Sequence, residues 1–414
     1  MIMVPDSIVV AGAGQAGLQL CDSLRKGGFK GRLTLLGEEA WPPYQRPPLS
    51  KAYLLGAMAR DRLFLKPESF YADHGIDLRL KARAVEIDRK AGRVRLEDGD
   101  SLAYEALVLA TGARARPLDR PGAGLEGVHV IRGMADIDRL APEIRPGAKA
   151  VILGGGYVGL EAAAALRGRG MEAAVIHRSE RLLSRVASVE TAAALQAIHE
   201  AEGVHIRLRQ TLHALEGEGR VQRAAVERVE VDHVRRIHEA ELEADLVVAG
   251  IGALPNQDLA RGADLRTENG IRTDADCRTS DPAIYAIGDC AEREDPRYGP
   301  LRLESVQNAI DQGKIAAAAI LGQPRPTEQA PWFWSDQFDV KLQSAGLPYG
   351  YDQAVIRKGA GRSQAVWLFR EGVLIAVEAL NDARAYMTGK RWIEQGRSPD
   401  PADLADPARD LKTL

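Results

Sequence analysis

Cysteine is scarce in this chain. Its 414 residues include three cysteines, Cys21, Cys277 and Cys290, which lie far apart. The number is odd, and no pair has the C-x-x-C or C-x4-C spacing of a metal site or a redox motif. This pattern excludes a cysteine-ligated metal cluster and a redox-active disulfide. The sequence therefore predicts a protein without a bound metal.

The chain also lacks long apolar runs and a large excess of charge of either sign. No stretch reaches the ~18 apolar residues of a bilayer-spanning helix, and the N-terminal residues lead into a strand without the pattern of a signal peptide. The chain carries 55 basic and 58 acidic residues, a net charge of −3. Such a balance does not indicate a nucleic-acid or anionic membrane partner. We expect a soluble, cytoplasmic protein that binds neither.

Glycine-rich turns are what the chain does contain. Residues 150–161 read AVILGGGYVGLE, an apolar strand followed by the spacing G-x-G-x-x-G at Gly154, Gly156 and Gly159. The first glycine permits a tight turn, the second lets the backbone approach a pyrophosphate, and the third lets the helix pack on the strand. The N-terminus of that helix favours an anion. The stretch is typical of a dinucleotide-binding turn.

The same spacing occurs near the start of the chain, in SIVVAGAGQAG, at Gly12, Gly14 and Gly17. One such turn is weak evidence, because a glycine-rich turn can also bind nothing. Two turns, one at the start and one in the middle, are typical of a flavoprotein that also binds a nicotinamide nucleotide. The length predicts about two to four domains.

In each repeat, the residues that follow the next strand indicate how the ribose is bound and which nucleotide is used. Glu38 lies about 20 residues past Gly17, where an acid accepts ribose hydroxyls, and we favour that role over a solvated loop charge. The equivalent position in the second repeat is His177, with Arg178 and Arg181 close behind. NADH calls for an acid there, and NADPH for basic groups around its 2′-phosphate. Solvated loop charges are an equal alternative, so the coenzyme stays open.

Other segments allow two interpretations each. Residues 44–51, YQRPPLSK, predict a proline-stiffened turn that leads into a helix capped by Ser50. Asp289 follows an apolar strand and could bind ribityl hydroxyls or simply cap a helix. The aromatic run at residues 332–334 predicts core packing. A position at the edge of a flavin is the more specific alternative. Further helices are predicted over residues 160–167, 306–320 and 387–395.

These motifs together resemble a known family. The segments that carry the likeness are GAGQAG, PPLSKAYL, LVLATGARARPL, VILGGGYVGLE, ADLVVAGIGALPN, the T-x6-A-x-G-D run ending at Asp289, ESVQNA and PWFWSDQF. They cover nearly the whole chain, and PPLSK together with PWFWSDQ is the most selective combination. The chain resembles the FAD-dependent ferredoxin reductases of the putidaredoxin-reductase type.

The resemblance implies an α/β fold with two Rossmann-like dinucleotide-binding domains of the glutathione-reductase kind and a small C-terminal α+β domain. It places an FAD domain at residues 1–113 and 247–325, an NAD(P)H domain at 114–246 and the C-terminal domain at 326–414. The implied activity passes electrons from NADH or NADPH through FAD to a [2Fe–2S] ferredoxin that serves a cytochrome P450 or a Rieske oxygenase. The protein would be a monomer or a weak homodimer.

The resemblance also implies the site residues. Lys51, Glu161 and Trp334 are predicted to be catalytic: the Lys51 ammonium would stabilise charge on the reduced flavin, Glu161 would pair with it, and Trp334 would lie near the flavin edge. The predicted FAD contacts are Gly12, Gly14, Ala16, Gly17, Glu38, Arg46, Lys51, Ala84, Ala110, Thr111, Gly112, Arg132, Asp289 and Val306. The predicted NAD(P)H contacts are Gly154, Gly156, Tyr157, Val158, Gly159, Glu161, His177, Arg178 and Gly252.

Two alternatives share this pattern. A monodehydroascorbate-type reductase has the same fold and also lacks redox cysteines. A protein like apoptosis-inducing factor would bind nucleotide and partners with little turnover. An NADH oxidase or peroxidase is disfavoured, since it would need a redox cysteine in the region of Ser50 and Lys51. His177 departs from the acid that is usual in the family, which leaves both NADH and NADPH as possible coenzymes.

Overall fold

The computed structural model describes residues 4–229, 236–295 and 298–414, which fold into two compact units. The described parts of residues 1–45, 60–114 and 253–328 form the first unit. The second consists of those in residues 46–59, 115–252 and 329–414. Each unit is thus assembled from separate segments of the chain. The three-domain division made from the sequence stays a prediction.

A five-stranded parallel sheet organises the first unit. Its strands lie in the order Ile284–Ala286, Ala106–Leu109, Ser7–Ala11, Arg32–Leu36 and Ile76–Arg79. The central strand is buried along its whole length, as expected for a parallel strand covered on both faces. Helices Gln15–Lys26 and Val306–Leu321 contribute to the hydrophobic core against it. The sheet therefore delivers the first glycine turn to the carboxyl end of its central strand.

Smaller elements complete the first unit. Two three-stranded sheets consist of Ala84–Asp88, Arg93–Leu96 and Ser101–Ala103, and of Ile271–Thr273, Ala291–Asp295 and Gly299–Leu301. The remaining elements are helices Ser69–Asp73 and Asp258–Gly262, the 3-10 helices Arg60–Leu63 and Gly288–Cys290, and strand Ala253–Pro255. The strand Ala113–Ala115 lies where the chain passes from the first unit into the second.

The second unit repeats the parallel design and adds an antiparallel sheet. Its parallel strands lie in the order Val204–Leu208, Glu172–His177, Lys149–Leu153, Leu246–Ala249 and Val128–His129. The C-terminal strands form an antiparallel sheet in the order Trp332–Gln337, Val340–Gly346, Val373–Leu380, Gln364–Arg370 and Gln353–Lys358. A third sheet contains Gln210–Glu216, Arg223–Val229 and Arg236–Glu243.

The helices of the second unit cover these sheets. They span Met134–Leu140, Tyr157–Gly168, Val189–Ala201, Ala383–Glu394 and Pro401–Ala405, with 3-10 helices at Pro47–Ser50 and Ala141–Glu143. Leu160 and Leu195, from two of the helices beside the parallel sheet, share one hydrophobic cluster with Val340, Leu342 and Leu380 of the C-terminal sheet. This packing brings strand Trp332–Gln337 into contact with helix Tyr157–Gly168. Across the described part of the chain, every helix is too short or too polar to cross a bilayer.

The structure corrects some element boundaries. The helix predicted over residues 387–395 is Ala383–Glu394, because the Asp382 carboxylate accepts from the N–H of Ala385 at 2.9 Å and starts the helix earlier. The helix predicted after Ser50 is wrong: Ser50 ends a short 3-10 helix, and residues 51–56 form turns. The helices predicted over 160–167 and 306–320 are confirmed and run slightly longer.

Two glycines of the second turn allow the close packing of helix on strand to be tested by substitution. A Cβ atom at Gly159 would lie 2.0 Å from the carbonyl oxygen of Gly154, whereas one at Gly156 would meet nothing within 4 Å. We expect Gly159→Ala to lower the free energy of unfolding by about 1–3 kcal/mol, a typical cost of overpacking. Gly156→Ala, the matched control, should cost less than about 1 kcal/mol. Urea unfolding followed by circular dichroism compares them, and equal losses would contradict the packing argument.

Candidate functional site

The first glycine turn lies where two strands of the first unit end. Gly12 has φ +127°, and a Cβ atom there would lie 2.1 Å from the carbonyl oxygen of Ala110. Gly14 is the N-cap of helix Gln15–Lys26 and makes no side-chain capping bond. A Cβ atom at Gly14 would meet nothing within 4 Å. Open space and uncapped N–H groups at a helix N-terminus fit a pyrophosphate.

Other predicted flavin residues surround this turn. The Thr111 hydroxyl donates to the carbonyl oxygen of Asn256 at 2.6 Å, and the Asn256 side chain donates back to the carbonyl oxygen of Thr111 at 2.8 Å. Gly288, which precedes Asp289, approaches Ala16 so closely that a Cβ atom would lie 3.0 Å from that of Ala16. The first unit therefore brings Gly12, Ala16, Ala110, Thr111, Gly112 and Asp289 together, and Val306 begins the helix that packs beside them.

A glutamine in this region had no signal in the sequence. The side-chain oxygen of Gln312 accepts from the N–H of Gly288 at 2.7 Å, in a buried position. It thereby holds the turn that carries Asp289.

Glu38 and Ala84 lie at the edge of the same unit. Glu38 follows its strand as predicted, but its side chain is 69% exposed and its Oε1 atom lies 3.6 Å from Nε of Arg83. Ala84 begins the strand after that arginine. Such an exposed ion pair contributes little to stability, so Glu38 is free to exchange partners. Its ribose role stays a prediction.

The nucleotide turn of the second unit has the same construction. A Cβ atom at Gly154 would lie 2.3 Å from the carbonyl oxygen of Gly250, so the two neighbouring strand ends meet at this turn. Helix Tyr157–Gly168 starts at Gly156 without a side-chain capping bond, and the space around Gly156 is open. Val158, in its first turn, is 41% exposed. These features fit the pyrophosphate of a nicotinamide nucleotide.

His177 lies against this turn as a neutral ring. Its Nδ1 atom accepts a hydrogen bond from the N–H of Gly155 at 3.1 Å. A nitrogen that accepts carries no proton, so the ring proton is on Nε2. Burial lowers the pKa of His177, and the nearby Arg185 and Arg178 lower it further. His177 is therefore not a cation that could bind a phosphate near neutral pH.

The arginines after His177 have different roles. Arg181 does not point toward a nucleotide phosphate, as one interpretation of the sequence had it: its guanidinium donates to the carbonyl oxygens of Ser184 and Ala187, both at 3.0 Å. It stabilises its own loop. Arg178 is exposed. Arg185, which the sequence analysis missed, is also exposed and reaches within 3.7 Å of the place a Cβ atom would take at Gly252.

Arg46 and Arg132 also lie together in the second unit. The guanidinium of Arg46 donates to the carbonyl oxygen of Arg132 at 2.6 Å. The backbone N–H of Arg132 donates in turn to the carboxylate of Asp136 at 3.0 Å. This arrangement anchors the first of the two arginines on the loop that carries the second. Their flavin contacts stay predictions.

The predicted pair of Lys51 and Glu161 is present. Nζ of Lys51 lies 3.1 Å from Oε1 of Glu161, in the second unit. The Glu161 carboxylate also accepts from the hydroxyl groups of Ser50 at 2.5 Å and Ser335 at 2.6 Å. The second contact of Lys51 is the Asp336 carboxylate at 3.2 Å. Its ammonium group lies 5.8 Å from the ring centroid of Trp334.

Burial governs the electrostatics of this cluster. It raises the pKa of Glu161, while Lys51, Ser335 and Ser50 act to lower it. The side chain of Lys51 keeps 16% exposure, and that of Glu161 keeps 7%. The cluster thus presents a cation backed by a buried carboxyl group. The sequence analysis missed the roles of Ser335 and Asp336, although both stand within the motif that it quoted.

The comparisons with known proteins agree with this geometry. The family model described as pyridine nucleotide-disulphide oxidoreductase matches residues 6–313, and the one described as reductase C-terminal matches residues 332–414. This chain belongs to the pyridine nucleotide-disulphide oxidoreductase family. It is an oxidoreductase with FAD and NAD(P)H as its cofactors. The predicted fold class is confirmed.

Relatives within the family cover almost the whole chain. A probable ferredoxin reductase of Castellaniella defragrans is 40% identical over 99% of this chain and 98% of its own length. A rubredoxin-NAD(+) reductase of Pseudomonas putida is 40% identical over 91% of this chain and 96% of its own. The crystal structure of the ferredoxin reductase for the CYP199A2 system of Rhodopseudomonas palustris superposes with a TM-score of 0.92, at 39% identity, covering 99% of each chain.

The disulphide chemistry in the family's description does not extend to this chain. Cys21, Cys277 and Cys290 are free and fully buried in the first unit. Burial raises the pKa of Cys21 and of Cys277 to about 12, so these thiols stay protonated and unreactive near neutral pH. Electrons therefore do not leave the flavin through a cysteine pair.

Lys51 allows a test with a closely matched control. We expect Lys51→Met to slow reduction of the bound flavin by NAD(P)H about tenfold or more, the usual effect of removing one charged donor from a reacting site. Most of the FAD should stay bound, since a single contact is lost. Stopped-flow absorbance of the flavin measures the rate.

Lys390 provides the control. Its side chain is 14% exposed and pairs with Glu394, so Lys390→Met removes a similarly buried ammonium group elsewhere in the same unit. That variant should keep the wild-type rate. A wild-type rate in Lys51→Met would show that Lys51 is only a structural lysine.

Proposed function

We propose that this protein is a ferredoxin reductase that passes electrons from NAD(P)H through FAD to a [2Fe–2S] ferredoxin. The observation that carries the proposal is the buried cluster of Glu161, Lys51 and Ser335, in which the two most selective motifs of the sequence meet. The motif PPLSK supplies Lys51, and the motif PWFWSDQ supplies Ser335. The relatives named as ferredoxin reductases support the same conclusion.

Some residues of the chain bind the two nucleotides, and others supply charge where the electrons are transferred. The open helix N-termini at Gly14 and Gly156 suit the two pyrophosphates. Bound FAD supplies the chemistry that accepts a hydride and releases electrons one at a time. Lys51 supplies a positive charge beside Trp334, and Glu161 fixes where that charge lies. The ion pair of Lys51 with Asp336, at 3.2 Å, joins the two selective motifs directly.

The acceptor belongs to the small iron–sulfur carriers, and we favour a [2Fe–2S] ferredoxin. The ferredoxin reductase from C. defragrans matches across the C-terminal region as well, covering 99% of this chain, whereas the rubredoxin-NAD(+) reductase covers 91%. Rubredoxin is the second candidate for that reason. By its likeness to the reductase of the CYP199A2 system, we propose that the ferredoxin serves a cytochrome P450 or a Rieske oxygenase.

An acceptor comparison tests the proposed function. We expect steady-state turnover with NAD(P)H to be fastest with a [2Fe–2S] ferredoxin, well above turnover with rubredoxin or monodehydroascorbate. Ferricyanide serves as the control for flavin reduction, because it accepts electrons without protein docking. If ferricyanide is reduced but turnover with every protein acceptor stays at background, the result would favour the nucleotide-binding alternative. Faster turnover with rubredoxin or monodehydroascorbate would contradict the proposal and identify that molecule as the preferred acceptor.

We further propose that the enzyme uses NADPH at least as well as NADH. His177 is neutral where NADH enzymes of this fold place an acid, so no carboxylate there repels a 2′-phosphate. Two exposed guanidinium groups, those of Arg178 and Arg185, act on His177 electrostatically and so lie close to it. Charge-assisted bonds from either one favour the phosphate.

Substitutions around His177 test the coenzyme proposal. We expect Arg178→Ala and Arg185→Ala each to lower kcat/KM for NADPH about tenfold, with a smaller effect for NADH. His177→Glu should reverse the preference toward NADH, because a carboxylate repels the phosphate. Arg223→Ala, which removes an exposed arginine paired with Glu216, is the control. A wild-type enzyme strongly selective for NADH would contradict the proposal and show that neither arginine binds the 2′-phosphate.

A further inference from the structure

A line of hydrogen bonds continues from Glu161 into the C-terminal sheet. The Ser335 hydroxyl donates to Oε1 of Glu161 at 2.6 Å, and Nε2 of Gln337 donates to the Ser335 oxygen at 3.0 Å. The Gln337 side-chain oxygen lies 2.8 Å from Nε2 of His199. Ser335 and His199 are 0% exposed, and Gln337 is 1% exposed. Three buried polar side chains thus connect Glu161 to helix Val189–Ala201.

The strand geometry explains why Ser335 and Gln337 share this line. They are two positions apart on strand Trp332–Gln337, so their side chains point to the same face. Asp336, between them, is exposed and contacts Lys51 from the other side. The S-D-Q sequence therefore places one acid beside the ammonium group of Lys51 and two neutral polar groups behind the carboxylate of Glu161.

The charge of Glu161 determines the direction of every bond in the line. An ionised carboxylate only accepts, so the single proton of Ser335 must go to Glu161. The Ser335 oxygen can then only accept from Gln337, which requires the amide nitrogen on that side. The Gln337 oxygen consequently faces His199, which must donate through Nε2–H. All three donors point toward the buried carboxylate.

We propose that Ser335, Gln337 and His199 are positioning residues that hold the Glu161 carboxylate ionised and aimed at Lys51. A buried carboxylate that accepts several hydrogen bonds keeps its charge at lower pH than one that accepts few. The line supplies one such bond directly and strengthens it through the two groups behind Ser335. The proposal rests on the proposed function, because it gives Glu161 its role beside the nicotinamide and flavin.

The surroundings of Glu161 agree with this assignment. Burial raises its pKa, so the donors must offset a real tendency to protonate. The charged and titratable groups facing it are Lys51 from the 3-10 turn, Asp336 through Lys51, and Tyr157 on its own helix. At the far end, burial lowers the pKa of His199. The direction of the bonds requires a proton on Nε2 of His199.

The protonation of Glu161 in the holoenzyme tests the proposal directly. The infrared band of its protonated carboxyl group, assigned by its loss in Glu161→Gln, is titrated with pH. We expect Ser335→Ala to raise the midpoint by about one pH unit, the size of one hydrogen bond to a charged group. Gln337→Met should raise it less, and Ser335→Cys should fall between Ser335→Ala and wild type. The acid limb of the pH profile for flavin reduction should move upward by the same amount.

The control is Ser363→Ala. Ser363 is a half-buried serine of the C-terminal sheet region whose hydroxyl contacts the carbonyl oxygen of Asn381 at 3.4 Å, and its variant should leave the midpoint in place. An unchanged midpoint in Ser335→Ala overturns the proposal. If that variant does not fold, an unchanged midpoint in Gln337→Met overturns it instead. The infrared titration needs no ferredoxin, so its result stays separate from a failure of the proposed acceptor.

Discussion

The need to satisfy one buried carboxylate shapes the second unit. Glu161 lies in the helix that starts at the nucleotide turn, and leaving its charge without partners there would be strongly destabilising. Its partners come from two distant parts of the chain: Ser50 and Lys51 from the proline-stiffened 3-10 turn, and Ser335 from the C-terminal strand. The carboxylate therefore ties both segments to the nucleotide-binding helix.

The two glycine turns show one physical solution used twice. In each unit a central parallel strand ends at a glycine whose missing Cβ lets a neighbouring carbonyl oxygen approach, Ala110 for Gly12 and Gly250 for Gly154. The helix that follows has no side-chain cap, so its N–H groups remain available for an anion. The repeats differ at the next strand end, where one has Glu38 and the other a neutral His177.

Local patterns predicted the repeating parts of the fold, because a strand, a glycine turn and a helix depend on neighbouring residues. The helices starting near Tyr157 and at Val306 were predicted for that reason. The prediction failed at Ser50, which looked like a helix cap but donates to a carboxylate more than a hundred positions away. For Arg181 the sequence had left two alternatives open, and the structure shows its guanidinium donating to carbonyl oxygens of its own loop.

The sequence by itself determined the two nucleotide turns, because each is written in a short motif with fixed spacing. The family and the pairing of Lys51 with Glu161 followed from the resemblance that the motifs carry. Only the tertiary structure decided what surrounds them. Which nitrogen of His177 carries the proton, which arginines stay exposed, and the line from Glu161 to His199 depend on contacts between residues far apart in the chain. Hydrogen-bond direction follows from three-dimensional neighbours, and no spacing along the chain encodes it.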